Sequence, residues 1–399
     1  MAEISILGQV ALGYSPFIDR NRAVIATRLG VFPLNAEVSL DAPSLLQAIA
    51  EVWPTNGPKV SLNLASEALL LDVLNGKPAG NLMLEVPAFM ACEAGFTPAI
   101  KAAHANGNGL LLKGRPLREL PREILPCFKY SIIDLGDDRR VDGVVPQGVT
   151  RSISVVQAGV RSVADMEKSF ARGSAAVLGW PIDDAVVVAA EKDKGKTPTD
   201  LQVIVQLIHQ VDNEEPIAKL ENTLKRDPTL AFKLLRLINS PAFGMQVEIG
   251  SLGHAIMLLG FKRFKRWLAL LLATASKDAN LKPLLFAAVR RGLIMEELVR
   301  GTADEELRNE MFICGVFSLL DRMFRQPFSD LLGAIPVPTR VYQALVKGSG
   351  PFAPYMSLVN ALEEGSPFDL RAASETLMLG VHEINRALLR ALTSAAQLD

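Results

Sequence analysis

Up to about residue 190 the apolar positions fall in short runs closed by Gly, Pro or Asp: ISILGQVALGY (4–14), KVSLNLA (59–65), NLMLEVPAF (81–89), GLLLKG (109–114), KYSIIDLG (129–136) and ISVVQAGV (153–160). Runs of that kind suit strands buried on both faces, as in a parallel sheet. Between them the pattern predicts helices at Ser44–Val52, Ser66–Leu74, Phe96–Asn106 and Ser162–Gly173. Strand and helix in alternation argue for an α/β fold.

The character changes after residue 190. EKDKGKTPTD (191–200) is charged, contains Gly and Pro, and has no apolar anchor, which marks a linker. Beyond it the apolar residues recur with helical spacing. Leu201, Ile204, Val205 and Ile208 share one face, with Thr199 or Asp200 as the cap. Asp227-Pro228 is a capping residue followed by Pro at the first helical position, and the helix stops at Asn239-Ser240-Pro241. Further helices are predicted at about 252–276, 282–300, 304–324, 338–347, 354–363 and 368–378. The expected domains are therefore 1–190 (α/β), a linker at 191–199, and 200–399 (all-α).

Composition narrows the function classes without choosing one. The 399 residues are 49% apolar and 21% charged, an ordinary globular mixture, and Lys+Arg (42) nearly balances Asp+Glu (43). No global charge draws the chain to nucleic acid or an anionic membrane. Three widely spaced cysteines, Cys92, Cys127 and Cys314, fit a reducing compartment better than a disulfide scaffold. The N-terminus lacks a basic n-region, and no apolar run approaches the roughly 18 residues of a membrane helix. The expectation is a cytoplasmic protein without a membrane partner.

Catalytic chemistry is sparse. His104, His209, His254 and His382 are scattered, with no HExxH and no HD dipeptide, and a catalytic metal needs about three convergent ligands. GxSxG, GxGxxG and the P-loop are absent. The run Phe261 to Trp267 (FKRFKRW) interleaves basic and aromatic residues, but Phe261, Phe264 and Leu268 have core spacing. Lys262, Arg263, Lys265 and Arg266 then form a solvated side rather than a nucleic-acid surface.

Two resemblances follow. The segment Arg226–Leu230 (RDPTL), then Lys233–Gly244 (KLLRLINSPAFG) and Ile249–Gly260 (IGSLGHAIMLLG), is similar to the most recognisable stretch of the HDOD domain, a reduced relative of the HD phosphohydrolases. It carries Asp227, Pro228, Asn239, Ser240, Pro241, Phe243, Gly244, His254 and Gly260. No Asp follows His254, which reads as a packed or capping histidine. The first half resembles the EAL domain, a TIM-barrel phosphodiesterase of cyclic di-GMP. Asn63 and Glu85 match that family's metal-binding Asn and Glu, and Asp134 matches a later site Asp. Other positions depart. Ser15 stands in the signature where the family has its metal-binding Glu. The stretch 110–114 (LLLKG) holds no acid where paired Asp residues are due. Ile132 replaces a Lys, and Ala158 and Arg161 replace two Glu.

Hard divalent cations require oxygen ligands, which Leu, Ile and Ala cannot supply. The resemblance thus implies a degenerate EAL-like barrel, not an enzyme, without metal or cofactor, joined to an HDOD domain that acts on other signalling proteins. About 190 residues is short for a barrel of ~250, so an incomplete barrel is one expectation. Binding of cyclic di-GMP without hydrolysis is the alternative, and a residual metal-dependent phosphodiesterase a minor one.

Overall fold

In the computed structural model the short apolar runs of the first half close on themselves. The structure describes residues 5–35, 37–51, 53, 58–76, 78, 80–140, 153–183, 199–226, 228–238, 251–274, 281–324, 326–334 and 337–396. The strands are β1 (Val10–Asp19), β2 (Val24–Pro33), β3 (Val60–Leu64), β4 (Leu82–Pro87), β5 (Gly109–Lys113), β6 (Phe128–Asp134), β7 (Ser154–Val160) and β8 (Ala176–Gly179). They form a closed barrel in sequence order. β1 runs antiparallel to both β2 and β8, and every other neighbouring pair is parallel.

Eight strands thus close within 184 residues, so the barrel is not incomplete as its length suggested. What is short is its helical coat. The first half contributes α1 (Ala42–Ala50), α2 (Glu67–Asn75), α3 (Ala88–Ala91), α4 (Thr97–Ala105) and α5 (Val163–Ala171). Side-chain caps open three of these: Asp41 bonds to Ser44 N–H, Ser66 to Leu69 N–H and Ser162 to Asp165 N–H.

The helical half contains α6 (Thr199–Asp212), α7 (Ile217–Leu224), α8 (Pro228–Ile238), α9 (Leu252–Thr274), α10 (Lys282–Leu298), α11 (Glu305–Phe317), α12 (Leu320–Phe324), α13 (Phe328–Ala334), α14 (Thr339–Lys347), α15 (Ala353–Glu364), α16 (Pro367–Leu377) and α17 (Val381–Ala396). By compactness, residues 282–298 and 354–399 belong with the barrel, while 185–281 and 299–353 form a second unit. This division differs from the expected one at 191–199, most of which lies outside the described residues.

The physical reason is visible at β1. α17 reaches the first strands through Asn385, which is fully buried. Its Oδ1 accepts from the Leu12 N–H (3.2 Å), and its Nδ2 donates to the Leu7 and Val10 carbonyls (2.7 Å each). Those backbone groups would otherwise be buried unpaired. Inside the barrel, Phe17, Ala26, Leu111, Ile132, Val156, Ala158, Ala176 and Leu178 make an apolar cluster, with Met83 and Tyr130 against it. In the second unit, α9 packs against α6, α7, α8 and α11. Phe264 is buried and stacks on Trp267. Lys265 pairs with Asp212, and Arg266 lies over the Phe312 ring.

Candidate functional site

Enzymes built on such barrels work at the C-terminal ends of the parallel strands. Because side chains alternate along a strand, the residues that follow the interior cluster toward that end line the mouth. Register aligns Ser15 with Arg28 and Arg28 with Ser61. One level higher, Gly13 aligns with Gly30 and Gly30 with Asn63. Glu85 and Lys113 enter from β4 and β5.

These groups pair with one another. Arg28 grips Glu85 with two bonds, Nε to Oε1 at 2.9 Å and Nη2 to Oε2 at 2.5 Å. Ser61 Oγ donates to Glu85 Oε1 at 2.9 Å. The Glu85 side chain is fully buried, whereas Arg28 keeps 21% of its surface. Lys113 Nζ donates to Asn63 Oδ1 at 2.6 Å. Among the described residues no carboxylate forms an ion pair with Lys113. Burial pushes its ammonium below the ordinary lysine range, and neighbouring Arg28 pushes the same way, against a smaller pull from Glu85.

The expected site residues are thus only partly brought together. Asn63 and Glu85 share the mouth. Asp134 follows the interior Ile132 to the same end of β6, but it is exposed there and accepts from the Gly136 N–H as the cap of a turn, with no bond to Asn63 or Glu85. Ser15 faces Arg28 across the β1–β2 ladder. Ile132 and Ala158 belong to the interior apolar cluster. Arg161 lies outside it, paired with Asp183 and, at 3.7 Å, with Glu364. The donors do not suit a divalent cation, because the Glu85 carboxylate is taken by a guanidinium and the Asn63 carbonyl by an ammonium. No group of three His, Cys, Asp or Glu able to hold a metal occurs among the described residues.

Sequence reasoning missed Arg28 and Lys113. Arg28 sits in VIATRLGVFP, a run not read as a strand. Lys113 closes GLLLKG, where it was noticed only as the place of a missing acid.

The turn after α15 closes part of the mouth. A Cβ on Gly13 would lie 2.6 Å from the Gly365 Cα, so glycine is required where the two backbones meet. Beside it Glu363 takes two bonds from Arg291 (2.8 and 2.6 Å) and one from the Tyr14 hydroxyl (3.3 Å). Trp180 Nε1 donates to the Tyr14 and Glu363 carbonyls. Burial, and next the Glu363 charge, hold the Tyr14 hydroxyl protonated well above the usual tyrosine range.

In the helical half, residues 197–324 match the family described as HDOD domain. The helical half contains an HDOD domain. Its span includes α10, which packs in the barrel unit. Of the HDOD motif positions, Asp227, Asn239, Ser240, Pro241, Phe243 and Gly244 lie outside the described residues. Pro228 opens α8. His254 is exposed rather than packed, and its backbone N–H donates to Ser251 Oγ at 3.4 Å, making Ser251 the cap. Gly260 has φ 72° and kinks α9.

The chain is 27% identical over 168 residues to the uncharacterized protein YuxH of Bacillus subtilis, covering 40% of each. It is 24% identical over 163 residues to the cyclic di-GMP phosphodiesterase CdgJ of Vibrio cholerae, covering 41% of this chain and 38% of that protein. The matches thus span about two-fifths of the length of these curated relatives. Among solved structures, the chain resembles the calcium and cy-diGMP complex of BlrP1 from Klebsiella pneumoniae, at 16% identity and TM-score 0.33, covering 46% of this chain and 57% of that one. It also resembles a c-di-GMP-bound standalone EAL protein from Vibrio cholerae, at 16% identity and TM-score 0.32, covering 43% and 90%. Among the described residues no helix is long and apolar enough to cross a membrane.

Proposed function

We propose that this is a non-catalytic signalling protein of the EAL and HDOD relationship, whose work is recognition of other proteins. The observation that carries the reading is the pairing of Arg28 with Glu85 and of Lys113 with Asn63. Two fixed cations stand at the strand ends where the resemblance would require divalent metals, and they engage the oxygen donors that remain. Ile132 and Ala158 supply no oxygen there. The turn at Gly365 further narrows access on the β1 side.

The test is incubation of the full chain with cyclic di-GMP and Mg²⁺ or Mn²⁺. No product is expected. Product release abolished by Glu85→Ala would overturn the reading and establish a residual phosphodiesterase. The second reading, a cyclic di-GMP sensor, is favoured by one observation: Lys113 has no carboxylate partner among the described residues and could face a phosphate. Calorimetry separates the two, because binding tighter than ~10 μM favours the sensor.

A further inference from the structure

We infer that the β4–β5 side of the barrel mouth docks a partner segment carrying an acidic side chain between apolar ones. This rests on the interaction reading above and names the face that serves it.

Three features belong to the ends of β4 and β5 and the segments that follow them. The first is Lys113, a half-buried ammonium whose bond partner is the neutral Asn63 amide. The second is the rim. Pro87 aligns with Lys113 in the ladder, and Phe89, two residues later at the start of α3, is 52% exposed. Leu117, four residues after Lys113, is 93% exposed. The Cys92 thiol, just past α3, donates to the Arg118 carbonyl at 3.5 Å, which joins the Phe89 segment to the Leu117 loop. Single exposed apolar residues are ordinary. Two on joined segments that continue β4 and β5, the latter ending in a cation without an ion pair, have the make-up of a docking site, apolar anchors with a charge. The third is the charge of the rim. Arg115 and Arg118 are exposed on the same loop, against exposed Glu93 and Glu119. With Glu85 paired to Arg28 and the two arginines balanced by the two glutamates, the net positive charge of the β4 and β5 ends is that of Lys113, while Asp134 belongs to the neighbouring β6.

Charge complementarity therefore selects an acidic partner, and the aliphatic Leu117 beside Phe89 suits the apolar side chains of a peptide. The carboxylate would take the free donors of Lys113, and flanking Leu-, Ile- or Phe-type residues would cover Leu117 and Phe89.

The test pans phage-displayed peptides of roughly 12 residues against the immobilised full chain in EDTA. Enriched sequences should carry Asp or Glu flanked by apolar residues. Synthetic copies should bind the full chain, and Lys113→Met and Leu117→Ser should each weaken them by about tenfold or more. Leu117 lies on an exposed loop, so Leu117→Ser keeps the fold and secures the result if Lys113→Met does not. No enrichment, enrichment without acids, or equal binding to both variants overturns the proposal. Displacement of the peptides by low-micromolar cyclic di-GMP also overturns it and assigns the mouth to a nucleotide. Peptides that bind but ignore both variants sink the mouth while leaving the interaction reading standing. Cyclic di-GMP hydrolysis in the separate assay sinks that underlying reading.

Discussion

Two arginine–glutamate pairs in the barrel unit use the same forked bonds for different work. Arg291 and Glu363 are nearly sealed, with 8% and 3% of their side chains exposed, and the Tyr14 hydroxyl completes the set. Arg28 and Glu85 sit at the mouth, with the guanidinium 21% exposed and the carboxylate buried. The first pair ties α10 and α15 to β1. The second takes the carboxylate that a metal would need. Bidentate geometry is thus no guide to role; the solvent that each partner retains, and what lies beyond it, decides.

The comparison can be broken from its strong end. Glu363→Ala removes the carboxylate that balances Arg291 in a nearly sealed site, so it should cost about 3–5 kcal/mol, read as a lowered urea midpoint of the full chain. Replacing both partners, Arg291→Met with Glu363→Leu, should recover most of that loss. A double variant as weak as the single one would mean that the pair itself, and not the unbalanced buried charge, matters. Glu85→Ala should cost less, about 1–2 kcal/mol, because the released Arg28 still reaches water. A loss as large as that of Glu363→Ala would show the mouth to be as closed as the seam.

The smallest effect is a pH dependence at Lys113. Its folded-state pKa lies below the ordinary lysine value. The unfolded chain therefore binds more proton between the two values, and stability rises with pH through that window. Lys113→Met removes this rise. The variant's stability relative to the wild type should be highest near neutral pH and should fall towards about pH 10. A difference that stays flat with pH would place Lys113 in ordinary solvent.

Much of the barrel was legible because its strands are short apolar runs with clear stops. KVSLNLA and GLLLKG predict β3 and β5 to within a residue or two. β2 was not, because Arg28 interrupts its apolar run, and that residue proved central to the mouth. The predicted helix at 304–324 is in fact α11 and α12, parted by a short turn. α17 also escaped, along with its Asn385. A single polar residue on an amphipathic helix reads as solvated, and only the distant β1 backbone shows what it bonds. Of the site, Asn63 and Glu85 could be named from a resemblance. Their partners could not, since a register of cations against oxygens is set by strand alignment rather than by local spacing.

The bond from the Leu12 N–H to Asn385 spans 373 positions of the chain. During synthesis at about 5–20 residues per second, β1 waits roughly 20–75 s before the helix that covers it exists. Through that interval the outer face of the first strands is open to pairing with other nascent chains. The cover of β1 is therefore complete only when the chain through Asn385 has been made. Protease resistance of the N-terminal half in ribosome-stalled chains should appear only once α17 has emerged.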